Sequence, residues 1–184
     1  IFSVYDPDII AVHTTCLSET IGDDIPQIIS KAADEGKIPQ GKCVIHTNTP
    51  SYVGSHVIGF ANMVKSMVDY FSQFSGQREE RINIIPGYVE PSDMAEIKRI
   101  TKLMGINSIV FPDTSGVLNG PATGKYEMYP SGGTKLADLI SSGDSIYTIG
   151  LGKTASLPAA RALDSKCKVP CDTINLPIGL RATD

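Results

Sequence analysis

The amino-acid sequence predicts an α/β fold, with mostly parallel sheets and helices on both of their faces. Short apolar runs alternate along the chain with longer stretches in which apolar residues recur at helical spacing. This alternation is typical of parallel β-α-β units, whose strands are buried on both sides. The chain has 184 residues, of which 41% are apolar and 20% charged, so it can bury one sizeable hydrophobic core.

The first half of the chain is expected to contain two strands and two helices. Strands are predicted at 9–13 and 44–46, where apolar runs end in histidine. Between them Gly22-Asp23-Asp24 opens a helix that Gly36 closes, since carboxylates suit the positive end of a helix dipole and glycine suits the other end. A second helix is predicted at 55–74, with an apolar face formed by Val57, Phe60, Val64, Met67, Val68 and Phe71.

The second half repeats this pattern. Its strands are predicted at 82–85, 108–111, 145–150 and near 173–176. Its helices are predicted from Pro91 onward, at 134–140 and at 155–166, and proline is favoured in the first turn of a helix. The connection at 112–132 is rich in Gly, Pro, Thr and Ser, and so long a connection is usually functional or interfacial.

The polar segment 75–81 allows two interpretations of the domain organisation. It could link residues 1–80, as the C-terminal part of a first α/β domain, to a following α/β domain formed by residues 81–184, or it could be an ordinary helix-to-strand loop within one continuous unit. The loop is the preferred interpretation. Because the first residue is Ile1 rather than Met, we also expect the sequence to be a piece of a longer polypeptide.

Charge and cysteine content exclude several classes of protein. Sixteen Lys and Arg against twenty Asp and Glu give a net charge of −4, and no basic stripe is available to neutralise nucleic-acid phosphates. No apolar run approaches the roughly 20 residues that span a bilayer, and no signal peptide is recognisable. Four cysteines without zinc spacing fit neither a disulfide scaffold nor a zinc site, so a reducing, cytoplasmic environment is expected.

Two polar segments, 14–24 and 47–56, follow the first two predicted strands. Ligands of parallel sheets bind beyond the carboxyl ends of the strands. If these two strands are neighbours, a spacing of about 5 Å brings Cys16 and Ser51 within reach of one shared object. Cys16 is either a small buried apolar residue or a reactive thiolate, and its place in a polar loop before a helix favours the thiolate.

Other candidate residues have simpler interpretations. Cys43 begins a strand and is predicted to be core, while Cys167 and Cys171 are predicted to be structural. A histidine could serve as the base for a cysteine or serine nucleophile, but that arrangement needs an orienting carboxylate, and it is disfavoured for His13, His46 and His56. The segment 150–154 lacks the first glycine of a phosphate-binding loop, so its glycines are expected to end a strand.

Five blocks of sequence, taken together, closely resemble the family of nitrogenase molybdenum–iron protein beta chains. The two most specific blocks are Thr14-Thr15-Cys16-Leu17-Ser18-Glu19-Thr20-Ile21-Gly22-Asp23-Asp24 and Thr49-Pro50-Ser51-Tyr52-Val53-Gly54-Ser55-His56. The others are 83–87, 111–118 and 176–180. The resemblance spans essentially the whole sequence, and it implies the Rossmann-like domains of nitrogenase component 1, with residues 1–80 on the side of the metal cluster described next.

The resemblance implies an electron-transfer subunit of an enzyme complex. Members of this family form an alpha-2 beta-2 heterotetramer with nitrogenase alpha chains and take electrons from an ATP-driven iron protein to reduce dinitrogen to ammonia. The electrons pass through the P-cluster, an 8Fe-7S centre shared by alpha and beta chains, to the iron–molybdenum cofactor on the alpha chain. By this resemblance Cys16 is a P-cluster ligand, and Ser51 ligates an iron of the oxidised cluster; the other beta-chain cysteine ligands are expected upstream of Ile1.

Two other functions remain as alternatives. One is a non-catalytic scaffold subunit for cofactor assembly with the same fold, and the other is a generic α/β domain that binds a small molecule. The resemblance also leaves open a vanadium or iron-only relative, although the Cys16-Leu17-Ser18-Glu19-Thr20 form favours the molybdenum type. Asp23 and Asp24 are expected to cap a helix, with acidic docking of the iron protein as a further hypothesis.

Overall fold

Six strands form two parallel sheets in the computed structural model, which describes residues 1–179. The smaller sheet pairs β1 with β2, and the larger has the strand order β4-β3-β5-β6. Every ladder is parallel, which confirms the predicted class, although the sequence pattern did not separate two sheets from one. The strands are β1 (Ile9–His13), β2 (Cys43–Thr47), β3 (Glu79–Ile85), β4 (Ser108–Val110), β5 (Ser145–Leu151) and β6 (Cys171–Ile174).

Seven α-helices connect and flank these strands in residues 1–179. They are α1 (Phe2–Tyr5), α2 (Cys16–Ile21), α3 (Ile25–Asp34), α4 (His56–Phe71), α5 (Pro91–Leu103), α6 (Leu136–Ser141) and α7 (Lys153–Cys167), and a 3₁₀ turn follows at Ser142–Asp144. The first two were not predicted: α1 has only four residues, too few to show a periodic apolar face, and the start of α2 is polar and was interpreted as a loop. The predicted block at 176–180 ends at Leu180, which lies outside the described residues.

The start of α3 differs from the prediction in one detail. Asp24 is the N-cap residue, and its carboxylate accepts a 3.0 Å hydrogen bond from the backbone N–H of Gln27. Asp23 therefore lies before the helix rather than in its first turn. The capping role predicted for Asp24 is confirmed, since a carboxylate at this position satisfies an otherwise unpaired N–H group of the first turn.

One buried apolar cluster joins elements of both sheets. Helices α4 and α7 pack against each other at its centre, with Val68 and Leu163 fully buried. Ile45 of β2 and Ile85 of β3 belong to the same cluster, and a smaller cluster contains Ile84 of β3 together with Val110 and Leu151. The division into domains at residues 80 and 81 stays a prediction; that point falls inside β3.

The polar segment 75–81 is held in place at its end. β3 begins at Glu79, three residues before the predicted start. The Arg78 guanidinium donates hydrogen bonds to the backbone oxygens of Gly143 (2.6 Å) and Cys167 (2.7 Å), and it lies 4.4 Å from the centroid of the Phe74 ring. These bonds satisfy carbonyl groups in the last turn of α7 and in the 3₁₀ turn before β5, so Arg78 links three parts of the larger sheet region.

Burial is very uneven along the chain. Among residues 1–44, all of which the structure describes, Thr14 is the sole buried residue. Several apolar side chains of this part are exposed, including Leu17, Ile21 and Ile28. Across residues 1–179 no helix has both the length and the apolar character that a membrane crossing requires.

Candidate functional site

Cys16 is the first residue of α2 and lies just beyond the carboxyl end of β1. The sequence predicted a polar loop here, and the helix is a correction: Thr15 and Ser18 form a capping box, with the Ser18 hydroxyl accepting a 2.9 Å bond from the Thr15 backbone N–H. The Thr20 hydroxyl also donates a 2.7 Å hydrogen bond to the Cys16 carbonyl oxygen. The backbone of Cys16 is thus held firmly, while its thiol is exposed.

Ser51 lies in the turn that follows β2, and it is exposed. It lines a small pocket of about 310 Å³ together with the start of α4, including Ser55 and His56. Ser55 is the N-cap residue of this 16-residue helix but makes no side-chain capping bond. The positive end of the α4 dipole therefore lies beside Ser51 without a capping hydroxyl to offset it.

The two segments that carry Cys16 and Ser51 leave the same edge of one sheet. β1 and β2 are parallel neighbours, with His13 paired to Thr47, so the condition on which the sequence argument depended is met. Thr14 and Thr49, each two residues before a candidate ligand, are joined directly by hydrogen bonds. The site residues themselves stay a prediction, and their side chains both face outward from the chain's own core.

The remaining cysteines lie in or against the core, as predicted. Cys167 exposes 3% of its surface, and Cys43 and Cys171 are half-buried against the main apolar cluster. Burial raises the pKa of each of these three thiols above its ordinary value. Within residues 1–179 no group of three His, Cys, Asp or Glu side chains is arranged to hold a metal ion.

The histidines give no support to a hydrolytic site. The Nδ1 atom of His46 lies 2.5 Å from the Tyr70 hydroxyl, and His56 packs edge-on against the Tyr88 ring. The carboxylate that a catalytic histidine needs is absent from these described contacts. The glycines near residue 150 end a strand, as predicted, since β5 stops at Leu151 and Gly152 caps α7 with a φ of 78°.

A larger cleft of about 630 Å³ opens between the small sheet and the long connection that follows β4. Its polar end contains Asp113, whose carboxylate accepts hydrogen bonds from Lys98 (2.7 Å) and from the Ser115 hydroxyl (2.6 Å). Burial opposes ionisation of Asp113, but these bonds outweigh it and lower its pKa. The Tyr129 hydroxyl donates a 2.9 Å bond to the Tyr5 carbonyl oxygen, which fastens the connection to α1.

The sequence analysis did not identify Thr14, Thr49 and Glu19 as parts of the candidate site. The Thr14 hydroxyl donates a 2.5 Å hydrogen bond to Glu19 and accepts a 2.8 Å bond from the Thr49 backbone N–H. One signal was present in the sequence, since a threonine stands two residues before each candidate ligand. Threonine at these positions does not by itself reveal which atoms it contacts.

Comparisons with known proteins identify the family of the chain. The model of the family described as nitrogenase component 1 type oxidoreductase matches residues 1–184, and the chain belongs to that family. More particularly, it is 61% identical to the nitrogenase molybdenum-iron protein beta chain of Clostridium pasteurianum, over 100% of this chain and 40% of the relative. It is 34% identical to the beta chain of the same name from Klebsiella pneumoniae, over 99% of this chain and 36% of the relative.

Two solved structures are similar in fold. A chain of the structure described as nitrogenase Cp1 at pH 6.5 superposes with a TM-score of 0.98 at 61% identity, covering 100% of this chain and 40% of that one. A chain of nitrogenase Cp1 at pH 5 gives a TM-score of 0.65 at 18% identity, covering 94% of this chain and 31% of that one, and this likeness shows the fold alone. The chain therefore spans well under half the length of these relatives.

Proposed function

We propose that the chain is part of the beta subunit of a nitrogenase molybdenum–iron protein. In this proposal it works in a cytoplasmic alpha-2 beta-2 heterotetramer, which receives electrons from the iron protein. The electrons pass through a P-cluster shared with the alpha chain to the iron–molybdenum cofactor on the alpha chain, for ATP-dependent reduction of dinitrogen to ammonia. The observation that carries the proposal is 61% identity to such a beta chain over all 184 residues.

The chemistry of the donor set fits a cluster that two chains share. Iron–sulfur clusters are held by cysteine thiolates, and when bound the P-cluster would supply a centre that accepts and donates single electrons. Cys16 offers an exposed thiol on a firmly held backbone, as a ligand to such a cluster requires. Because residues 1–179 contain no closed set of metal ligands, the other thiolates would have to come from elsewhere in the complex.

Ser51 would be a conditional ligand. A serine hydroxyl binds iron well only after losing its proton, and oxidised iron is a harder Lewis acid that favours the resulting alkoxide. The uncapped start of α4 lies beside Ser51, and the positive end of a helix dipole stabilises negative charge. Ser51 would thus couple the loss of an electron from the cluster to the loss of a proton from its own hydroxyl.

The test uses the complete beta chain assembled with its alpha chain. We expect Ser51→Ala to abolish the pH dependence of the oxidised-state midpoint potential, while iron content stays at the wild-type level. Ser55→Ala is the matched control, because Ser55 lines the same pocket and makes no capping bond. If Ser51→Ala retains the wild-type potential and pH dependence, the proposed role of Ser51 is wrong. A complex that contains no iron after anaerobic purification would instead favour the generic α/β domain that binds a small molecule, whereas a cofactor-assembly scaffold would be recognised by the lack of the two upstream cysteines in the complete chain.

A further inference from the structure

Thr14 is unusual among the first 44 residues because it is both polar and buried. It exposes 7% of its surface, and it is the sole buried residue of that part of the chain. A buried hydroxyl without hydrogen-bond partners is costly, so the bonds that Thr14 makes decide whether its interior position is stable. Thr14 also stands two residues before Cys16 in sequence, directly after β1.

Thr14 and Thr49 form a reciprocal pair. The Thr49 backbone N–H donates to the Thr14 hydroxyl at 2.8 Å, and the Thr49 hydroxyl donates to the Thr14 carbonyl oxygen at 2.9 Å. Each residue therefore uses its side chain to bond the backbone of the other. The pair extends the contact between the two segments beyond His13 and Thr47, the last paired residues of β1 and β2. Cys16 and Ser51 each lie two residues further along the chain.

Glu19 determines how the Thr14 hydroxyl is oriented. A threonine hydroxyl has one proton to donate and two lone pairs that accept. Its proton goes to the Glu19 carboxylate at 2.5 Å, which leaves a lone pair for the Thr49 N–H. Hydrogen bonds to carboxylates are short and strong, so Glu19 holds the hydroxyl in this orientation. Glu19 also belongs to α2, whose first residue is Cys16, and so the network ties that helix to the turn that carries Ser51.

We infer that Thr14, oriented by Glu19 and paired with Thr49, is a positioning residue that holds the Cys16 and Ser51 segments at a fixed separation and thereby sets how readily Ser51 engages the oxidised cluster. The inference rests on the proposed function, and it concerns the regulation of the same site. The network contacts neither candidate ligand side chain, so it acts through the backbone of the two segments. Loosening it should weaken serine ligation more than cysteine ligation, because Ser51 binds conditionally, whereas the backbone of Cys16 is also held by the Thr20 hydroxyl and the capping box of α2.

The test compares two buried threonines in the assembled complex. Thr14→Val keeps the shape of the side chain but removes both hydrogen-bonding roles. Thr101→Val is the matched control, because Thr101 is likewise buried at 8% exposure, bonds the Lys98 carbonyl oxygen, and lies on α5. The readouts are iron content, the midpoint potential of the oxidised cluster, and iron–oxygen coordination measured by X-ray absorption.

We expect Thr14→Val to lower the ratio of serine-bound to serine-free oxidised cluster by about tenfold, the effect of one hydrogen bond near the upper end of its usual net contribution. Iron content should stay at the wild-type level. Thr14→Ser should restore the wild-type ratio, since it retains the hydroxyl, and Thr101→Val should leave the ratio and the potential unchanged. The ratio measured for Glu19→Leu should approach that of Thr14→Val, because the Thr14 hydroxyl then loses the acceptor that orients it.

Two results would overturn the inference. The first is that Thr14→Val and Thr101→Val give the same potential and the same iron–oxygen coordination, while Ser51→Ala changes both. In that case the proposed function stands, but Thr14 has no positioning role. The other is an equal effect of Thr14→Ser and Thr14→Val, which would indicate packing rather than hydrogen bonding. If Thr14→Val does not assemble, Thr49→Val is measured by the same criteria, because it removes the other half of the reciprocal pair. A Ser51→Ala complex with unchanged properties would instead refute the proposed ligand role of Ser51, on which the inference rests.

Discussion

Asn83 and Ser145 lie fully buried in neighbouring strands, and the Ser145 hydroxyl donates a 2.9 Å hydrogen bond to the side-chain oxygen of Asn83. The Asn83 amide nitrogen donates in turn to the Ser142 carbonyl oxygen (2.9 Å) and to the Thr148 hydroxyl (3.2 Å). One side chain thus joins β3, β5 and the 3₁₀ turn before β5. All three of its bonds are made inside the protein, where water cannot replace them.

Replacing Asn83 with leucine should therefore destabilise the protein strongly. We expect Asn83→Leu to lower the free energy of unfolding by about 3 kcal/mol, because it leaves buried polar partners unsatisfied. Asn107→Leu is the control, since Asn107 is exposed, and it should change the value by less than about 0.5 kcal/mol. Urea denaturation followed by circular dichroism measures both. Equal effects of the two substitutions would show that the buried network contributes no stability.

Gly87 is a second sensitive position in the larger sheet. It follows β3 with a φ of +77°, and a Cβ atom there would lie 2.3 Å from the backbone oxygen of Leu151. We expect Gly87→Ala to cost about 2 kcal/mol more in unfolding free energy than Gly105→Ala. Gly105 has a similar φ of +71° but open space around it, so its substitution carries only the conformational strain. Thermal unfolding measures both variants. Equal midpoints would show that the close approach of the Leu151 oxygen to position 87 has no energetic cost.

The ion pair of Lys98 and Asp113 predicts loss of stability in acid. Burial disfavours the charged Asp113 carboxylate, but hydrogen bonds from Lys98 and Ser115 lower its pKa below the ordinary value. A lowered native pKa stabilises the fold fully above the unfolded-state pKa of about 4. That contribution is then lost as the pH falls below 4 and through the native pKa.

We expect Asp113→Asn to flatten the decline of stability below pH 4 while reducing stability at pH 7. Lys98→Gln should do the same in part, whereas Lys102→Gln, an exposed lysine on the same helix, should leave the pH profile unchanged. Denaturation midpoints measured from pH 3 to pH 7 test this. If Asp113→Asn loses stability below pH 4 as steeply as the wild-type protein, the loss is caused by other carboxylates.

The exposed thiol of Cys16 should be the most readily alkylated of the four cysteines once iron has been removed. Alkylation requires an accessible thiolate, and burial raises the pKa of the Cys167, Cys43 and Cys171 thiols. In the iron-loaded complex we expect Cys16 to become protected. Mass spectrometry of time-resolved labelling measures both states. If Cys16 reacts equally fast with and without iron, it is not a cluster ligand.

Much of the fold could be predicted because it depends on local patterns. β1 was predicted with its exact bounds, 9–13, since an apolar run of five residues between polar turns is too short for a typical helix. The pairing of β1 with β2 was a condition of the sequence argument rather than a prediction, because β-α-β order favours neighbouring parallel strands without requiring them. Helix α4 began one residue later than predicted and ended at Phe71, where Ser72 turns into extended backbone.

The details of the candidate site depend on contacts that leave no periodic signal. The bond between Thr14 and Thr49 joins residues 35 apart in sequence. Helix α2 was missed because the polar residues that suggested a loop, Thr15 and Ser18, are the ones that form its capping box. Polar side chains that satisfy a helix terminus and polar side chains of a loop look alike in sequence, and only the backbone geometry separates them.

The scarcity of interior residues before Ile45 has a consequence for how the protein is put together. With one buried side chain among the first 44 residues, that part gains little from its own interior and should open to deuterium exchange far below the energy of global unfolding. The strands around α7 should exchange only when the whole chain unfolds. If the proposed function holds, amide protection of α2 and α3 would rise stepwise as the proposed cluster and the neighbouring subunits are added, so exchange in this region would report assembly of the complex.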